Sequence, residues 1–369
     1  MAEFNKKTRL EYIDVFRGIA LLIMVFIQVF DRLSVSNIYT TPPYYVEFIN
    51  SVTWVPPSLL FTFVSGMSVF LLSKKLIETK RMEKFSAFRR VFTRYGKYVL
   101  ISLPFTWFMW EIGRYWGWQE AIQGIGLTGI FTAFFLIFVS GLKIDKKKII
   151  MFSVLIITFA FLQSWLPTYL TSSGIGENYP YSPDVSMGAM SVIGSVLLNA
   201  FVRGWFSISN LFPMMLGGVI MLYLIQSKIS NKKLLGITFV MLLIPFLLHF
   251  SGYAIDYYNR SFSFTFFAVG QSAFICALTY SLYTFKFKNK TKKFMSKVWE
   301  FLRVYGITAF FVYITHYLLI IKLLEITNLA DLLPDVYAIL LTIPFVFLIY
   351  FIAKRYEVKR NSLPYILRL

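Results

Sequence analysis

Several side chains that can move a proton or polarise a carbonyl sit inside long apolar runs of this sequence. His316 lies in FFVYITHYLLI, Gln28 near the end of GIALLIMVFIQVFD, and Gln123 at the start of AIQGIGLTGIF. A buried neutral imidazole can serve as a general base or donate to a substrate. Amides can polarise a carbonyl by donating to its oxygen. All are costly in lipid, so each asks for a partner or a purpose; for His316 the alternative is a satisfied packing residue. His249, in FLLHFSGY, lies nearer an interface. Asp14 and Arg17 are three apart and share a helix face. They can pair with each other, or Arg17 can bind an anion such as a phosphate while Asp14 holds it in place. Gly18 follows at once and would permit close approach of a ligand or another helix.

The elements that must carry these groups are membrane helices. The chain has 369 residues, 57% of them hydrophobic, with a mean hydropathy of +0.64 and 40 Phe and 23 Tyr. That composition predicts an all-α, polytopic membrane helix bundle. Ten apolar segments can be counted, at 13–33, 53–73, 95–113, 120–142, 149–167, 207–227, 234–254, 262–285, 304–326 and 335–353. Lys and Arg crowd the alternate connections, for example Lys74 to Lys97, Lys143 to Lys148 and Lys286 to Lys297. The opposite connections hold little that is basic beyond Arg32, Arg114, Arg203 and Arg260. This is the positive-inside pattern, and it puts both termini in the cytoplasm. The formal net charge of +19 is thereby assigned to topology, and nucleic acid is excluded as a partner.

The topology sets depth. Gln28 lies fourteen residues beyond Asp14, about 21 Å along a helix. Trp54 and Gln123 start segments on the outer side, Asn210 starts another there, and both histidines fall in the outer halves of outward-running segments. Asp31 closes the first segment at the same side. These groups are expected at similar depth, with Asp31, Trp54, Asn210 and His249 towards a substrate. On the inner side, Asp14, Arg17, Gly18 and Arg94 form a basic mouth suited to a phosphorylated cofactor.

The whole chain, 1–369, reads as one domain. Residues 75–97 are a basic, amphipathic cytoplasmic connection suited to anionic headgroups. Residues 167–206 are a long extracytoplasmic connection whose second part, SMGAMSVIGSVLLNAFVRGW, reads as an interfacial or re-entrant helix. The polar start and the long first run predict a signal-anchor helix with no cleavage site. Cys276, the single cysteine, excludes an intrachain disulfide and a cysteine metal cage. There is no P-loop, H-E-x-x-H or G-x-S-x-G motif, and no metal is expected.

The stretch Arg9 to Phe26, R-L-x-x-I-D-x-x-R-G-I-A-L-x-x-M-V-F, resembles the opening of the heparan-α-glucosaminide N-acetyltransferase family, within a wider clan of membrane acyltransferases. LLFTFVSGMSVFLLSKK (59–75), AIQGIGLTGIF (121–131), LFPMMLGG (211–218) and YGITAFFVYITHYLLI (305–320) resemble later elements in the same order. The resemblance implies an enzyme that takes an acyl group, acetyl first, from cytoplasmic acyl-CoA. It would pass that group to a sugar amine, a hydroxyl or a lipid-linked acceptor outside. It puts Asp14 and Arg17 near the cofactor entrance, and Gln123 and His316 at the fourth-helix Gln and late-helix His positions. Gln28 stands where the family has an active-site Asn. The family's outer-side His between helices one and two has no counterpart, because residues 31–53 contain no His. His316, Asp31 or Glu47 would have to replace that base.

Two other readings fit the same residues. One is a transporter or flippase for an amphipathic solute; the other is a non-catalytic binding member of the same scaffold. A homodimer is compatible with all three.

Overall fold

The computed structural model describes residues 10–35, 57–109, 121–172, 189–203, 206–227, 229–253, 255, 261–327 and 332–359. These residues are overwhelmingly helical. Among the described residues, eight helices are long and apolar enough to cross a membrane, or nine if one bent pair counts as a span. The chain divides into two compact units, residues 1–61 with 278–369, and residues 62–277.

The first unit is organised by α1 (Glu11–Leu33), whose acidic first turn (Glu11, Asp14) and Arg32 in the last turn complement the helix dipole. Beyond it the chain becomes extended. Leu333 N–H donates to the Leu33 carbonyl and Val35 N–H to the Leu333 carbonyl, each at 2.9 Å. The Ser34 hydroxyl bonds the Asp335 carboxylate at the start of α13 (Asp335–Lys359). The far end of α1 is thus tied to the start of the last helix.

At its other end α1 meets α10 (Asn289–Ile307) with almost no side chain between them. A Cβ on Gly18 would run into the Leu302 carbonyl, and a Cβ on Gly306 into the Asp14 carbonyl. Glycine on each partner lets the two backbones touch, as small residues do at membrane helix crossings. Since the obstacle is backbone, Gly306→Val is expected to destabilise the protein by at least about 1–3 kcal/mol, seen as a lower unfolding midpoint in detergent.

α10 ends at Thr308, and the chain bends by 78° into α11 (Ala309–His316). The Thr308 hydroxyl bonds the Val304 carbonyl at 2.7 Å. Such back-bonding by a threonine hydroxyl bends helices. The segment 304–326 is therefore not the single straight span that its hydropathy suggests. After His316 come a π-helical turn (Tyr317–Ile321) and the short α12 (Lys322–Ile326). Tyr305 O–H donates to the Val346 carbonyl at 2.6 Å and ties α10 to α13.

The second unit holds α2 (Pro57–Lys74, beyond its first turn), α3 (Lys84–Met109), α4 (Ala121–Phe134), α5 (Lys146–Ser172) and α6 (Ala189–Leu198). It continues with α7 (Ile208–Gln226), α8 (Asn231–Phe250) and most of α9 (Phe262–Thr284). α7 is its buried axis, and Phe212 packs edge-on against Phe131, Phe135 and Phe159 at 4.9–5.6 Å. α5 and α8 keep most of their apolar surface exposed, which suits helices that face lipid.

Two boundaries differ from the hydropathy reading. Residues 75–79 are a π-helical end to α2, and α3 then runs unbroken from Lys84 through Arg94 into the apolar stretch at 95. As far as Met109, the basic stretch and the apolar stretch after it form one helix. No proline lies between Arg94 and Val99, and a helix tolerates the one glycine there, Gly96. In the long connection, α5 extends to Ser172 and helix resumes at Ala189, continuing to Arg203.

Candidate functional site

Within the first unit, α1 and α11 bring Gln28 and His316 together. His316 is fully buried, and its Nε2 lies 2.6 Å from Gln28 Oε1. Gln28 Nε2 is 2.9 Å from the Tyr317 hydroxyl. Nδ1 of His316 sits 3.0 Å from the Val312 carbonyl. Tyr313 and Tyr317 flank the imidazole, with ring centroids 5.6 and 4.6 Å away. His316 is the last residue before the π-helical turn, a distortion that often marks functional positions.

The proton count in this chain is restrictive. The Val312 carbonyl can only accept, so Nδ1 carries a hydrogen. In a neutral ring Nε2 is then a lone pair, which needs a donor. An amide keeps its shape when its oxygen and nitrogen exchange places. Turned that way, Gln28 donates N–H to Nε2 and its carbonyl accepts from Tyr317 O–H. Both ring nitrogens, the Gln28 carbonyl and the Tyr317 hydroxyl then have partners, and the basic nitrogen of His316 is covered by Gln28. The arrangement can perform base chemistry once the Gln28 amide swings aside.

At the other end of α1, Arg17 Nη1 donates to Asp14 Oδ1 at 2.9 Å and to the Gly306 carbonyl at 3.1 Å. The pair therefore clamps α1 to α10. Of the two close approaches that Gly18 would permit, the structure shows that of a helix: the α10 backbone at Leu302 fills the space above it. Beside the clamp, Tyr283 O–H donates to Glu11 at 2.6 Å. Arg303 donates twice to Glu300, at 2.8 Å, and once to Glu357 at 3.0 Å. Asp31 is half-buried on the last turn of α1.

The remaining sequence candidates belong to the second unit or to undescribed stretches. Gln123 is buried on α4. Asn210 is buried near the start of α7, where its Oδ1 accepts from Gln163 Nε2 at 3.2 Å; Gln163 Oε1 in turn accepts from Thr265 at 3.2 Å. His249 is exposed at the end of α8, where its Nδ1 accepts from Ile255 N–H at 3.1 Å. Arg94 is exposed on α3. Trp54 and Glu47 lie outside the described residues.

Sequence reasoning passed over Tyr317, Gln163 and Thr265. Tyr317 adjoins His316 in a run that is otherwise apolar and aromatic. Gln163 was legible as an amide inside an apolar run, the signal that singled out Gln28. Thr265 carries no such signal, because threonines are common in membrane helices.

Comparison with curated proteins finds no match. A family model described as heparan-alpha-glucosaminide N-acetyltransferase, catalytic, matches residues 9–187, which hold α1, Asp14, Arg17, Gln28 and Gln123. The match points to a family of membrane acetyltransferases. Over residues 9–187 the chain is similar to the heparan-α-glucosaminide N-acetyltransferase family.

Proposed function

We propose that the protein is a multi-pass membrane acyltransferase that moves an acetyl group from cytoplasmic acetyl-CoA, or a related acyl-CoA, to an acceptor outside. The acceptor is a sugar amine or hydroxyl, free or lipid-linked. Both termini lie on the cytoplasmic side, as the basic connections require. The observation that carries the reading is the buried Gln28–His316 hydrogen bond between two apolar helices, one of which lies in the matched region.

The chemistry follows from those atoms. Gln28 swings off His316 Nε2, and the ring takes the proton of the acceptor N–H or O–H. The acceptor nitrogen or oxygen then bonds the thioester carbonyl carbon, and the freed Gln28 amide N–H steadies the developing oxyanion. The C–S bond breaks, and His316 returns the proton to the CoA thiolate. The products are an amide or ester and CoA–SH, so no further reactant is needed. His316 thus replaces the histidine that residues 31–53 lack.

The test is transfer of labelled acetyl from acetyl-CoA to glucosamine-containing acceptors by the full chain in lipid nanodiscs. Transfer that depends on His316 supports the reading. CoA binding without transfer to any acceptor would favour a non-catalytic member, and solute movement without CoA binding would favour a transporter.

A further inference from the structure

We infer that a cleft between the end of α9 and one face of α10 docks the nucleotide end of the acyl-CoA donor; this rests on the acyltransferase reading above. The cleft measures about 840 Å³, within the range of small-molecule sites. It lies at the Glu11 end of α1, wholly inside the first unit, and mostly outside the region that the family model matches.

Its lining sorts into three kinds of chemistry. Asn289, Lys292, Ser296, Trp299 and Arg303 recur at three- and four-residue steps and form one stripe of α10. Opposite stand Tyr283 at the end of α9 and Phe285 and Phe287 in the link to α10. Tyr283 and Trp299 touch at a tilt, with centroids 5.8 Å apart and planes at 56°, and make one aromatic wall of the cleft. Aromatic faces of this kind hold a planar base by stacking. Lys286 and Lys292 are exposed on the rim and suit phosphates, as point charges that need no fixed geometry.

The carboxylates complete the match. Glu11 is held by Tyr283 and Glu300 by Arg303, so both acceptors stay in place in the cleft. A carboxylate beside an aromatic wall favours a base with an exocyclic amine, as Asp and Glu accept from such groups in nucleic acids. Arg303, occupied by Glu300 and Glu357, shapes the cleft rather than gripping a phosphate. Arg17, occupied by Asp14 and Gly306, is likewise a helix clamp. The nucleotide therefore goes to α9 and α10, and not to the Asp14–Arg17 pair. A donor with a charged nucleotide at one end and a thioester on a long arm suits a helix with this cleft at one end and Gln28 at the other.

The alternative occupant of a basic, aromatic surface is an anionic lipid headgroup, and the experiment separates the two. CoA and adenosine 3′,5′-bisphosphate are titrated calorimetrically into the full chain in nanodiscs of neutral lipid. The wild type is compared with Trp299→Ala and with Lys286→Ala/Lys292→Ala, whose exposed rim positions leave folding intact. The expected result is that the bisphosphate competes with CoA and that both variants weaken both ligands at least tenfold. His316→Ala should bind both as the wild type does. Unchanged CoA affinity in both cleft variants, alongside wild-type transfer, would overturn the cleft and leave the acyltransferase standing. Variants that alter only retention on phosphatidylglycerol vesicles would assign the cleft to lipid. A wild type that neither transfers nor binds CoA would remove the acyltransferase reading itself, and the nucleotide assignment with it.

Discussion

His316→Ala is expected to lower acyl transfer by about 10²–10⁴-fold while leaving CoA affinity unchanged, since a general base contributes on that scale. The prediction is sharp because the ring has a single usable nitrogen. Nδ1 is tied to the Val312 carbonyl, so only Nε2 can receive the acceptor's proton. Gln28→Ala should fall less far, by about 10–10²-fold, because it removes the oxyanion donor yet uncovers Nε2. The double variant should be no worse than His316→Ala alone, since residues that act as a unit are not additive. Tyr317→Phe removes the group that holds the Gln28 amide and should produce a smaller loss in turnover. Steady-state rates for the four variants, with CoA affinity measured in parallel, decide the matter. Wild-type rates in His316→Ala would dismiss the assignment.

The largest expected effect on stability is at the other end of the same helix. Arg17→Ala should destabilise the protein by about 3–5 kcal/mol, because it removes the guanidinium that pairs with the buried Asp14 carboxylate. It also removes the donor to Gly306, just where α10 lies against α1 with no side chain between. The double replacement Asp14→Leu with Arg17→Met should recover most of the loss, since apolar residues of similar size often replace a buried pair at little cost. Unfolding midpoints in detergent for the single and double variants test this. An Arg17→Ala protein as stable as the wild type would mean that the pair is not the clamp. The same variants should bind CoA normally if the nucleotide sits in the α9–α10 cleft, so one set of proteins examines both ideas.

Much of the polytopic helical architecture was legible in the sequence, since a run of about twenty apolar residues must satisfy its backbone internally wherever it crosses lipid. Alternating basic connections then ordered the runs by depth. That ordering put Gln28 and His316 at one level, 288 positions apart, and the structure joins them by a hydrogen bond. It put Asn210 and His249 at that level too, yet Asn210 bonds Gln163 and His249 is exposed. Depth is one coordinate; which helix lies beside which is set by packing, and periodicity carries no record of it.

Tertiary structure alone decided the rest. Gly18 and Gly306 become intelligible only as a pair, because each makes room for the other's helix. The 78° bend at Thr308 escapes hydropathy, since a threonine that turns back on Val304 is as apolar on average as one that does not. The cleft of Tyr283, Lys292 and Trp299 forms where residues from the end of α9, from α10 and from the Glu11 end of α1 come together. In one dimension those residues were part of a basic loop and its aromatic flank. Composition and run length dictate that helices form and how deep their polar groups lie; close backbone approach, helix bends and shared protons are set by neighbours distant in sequence.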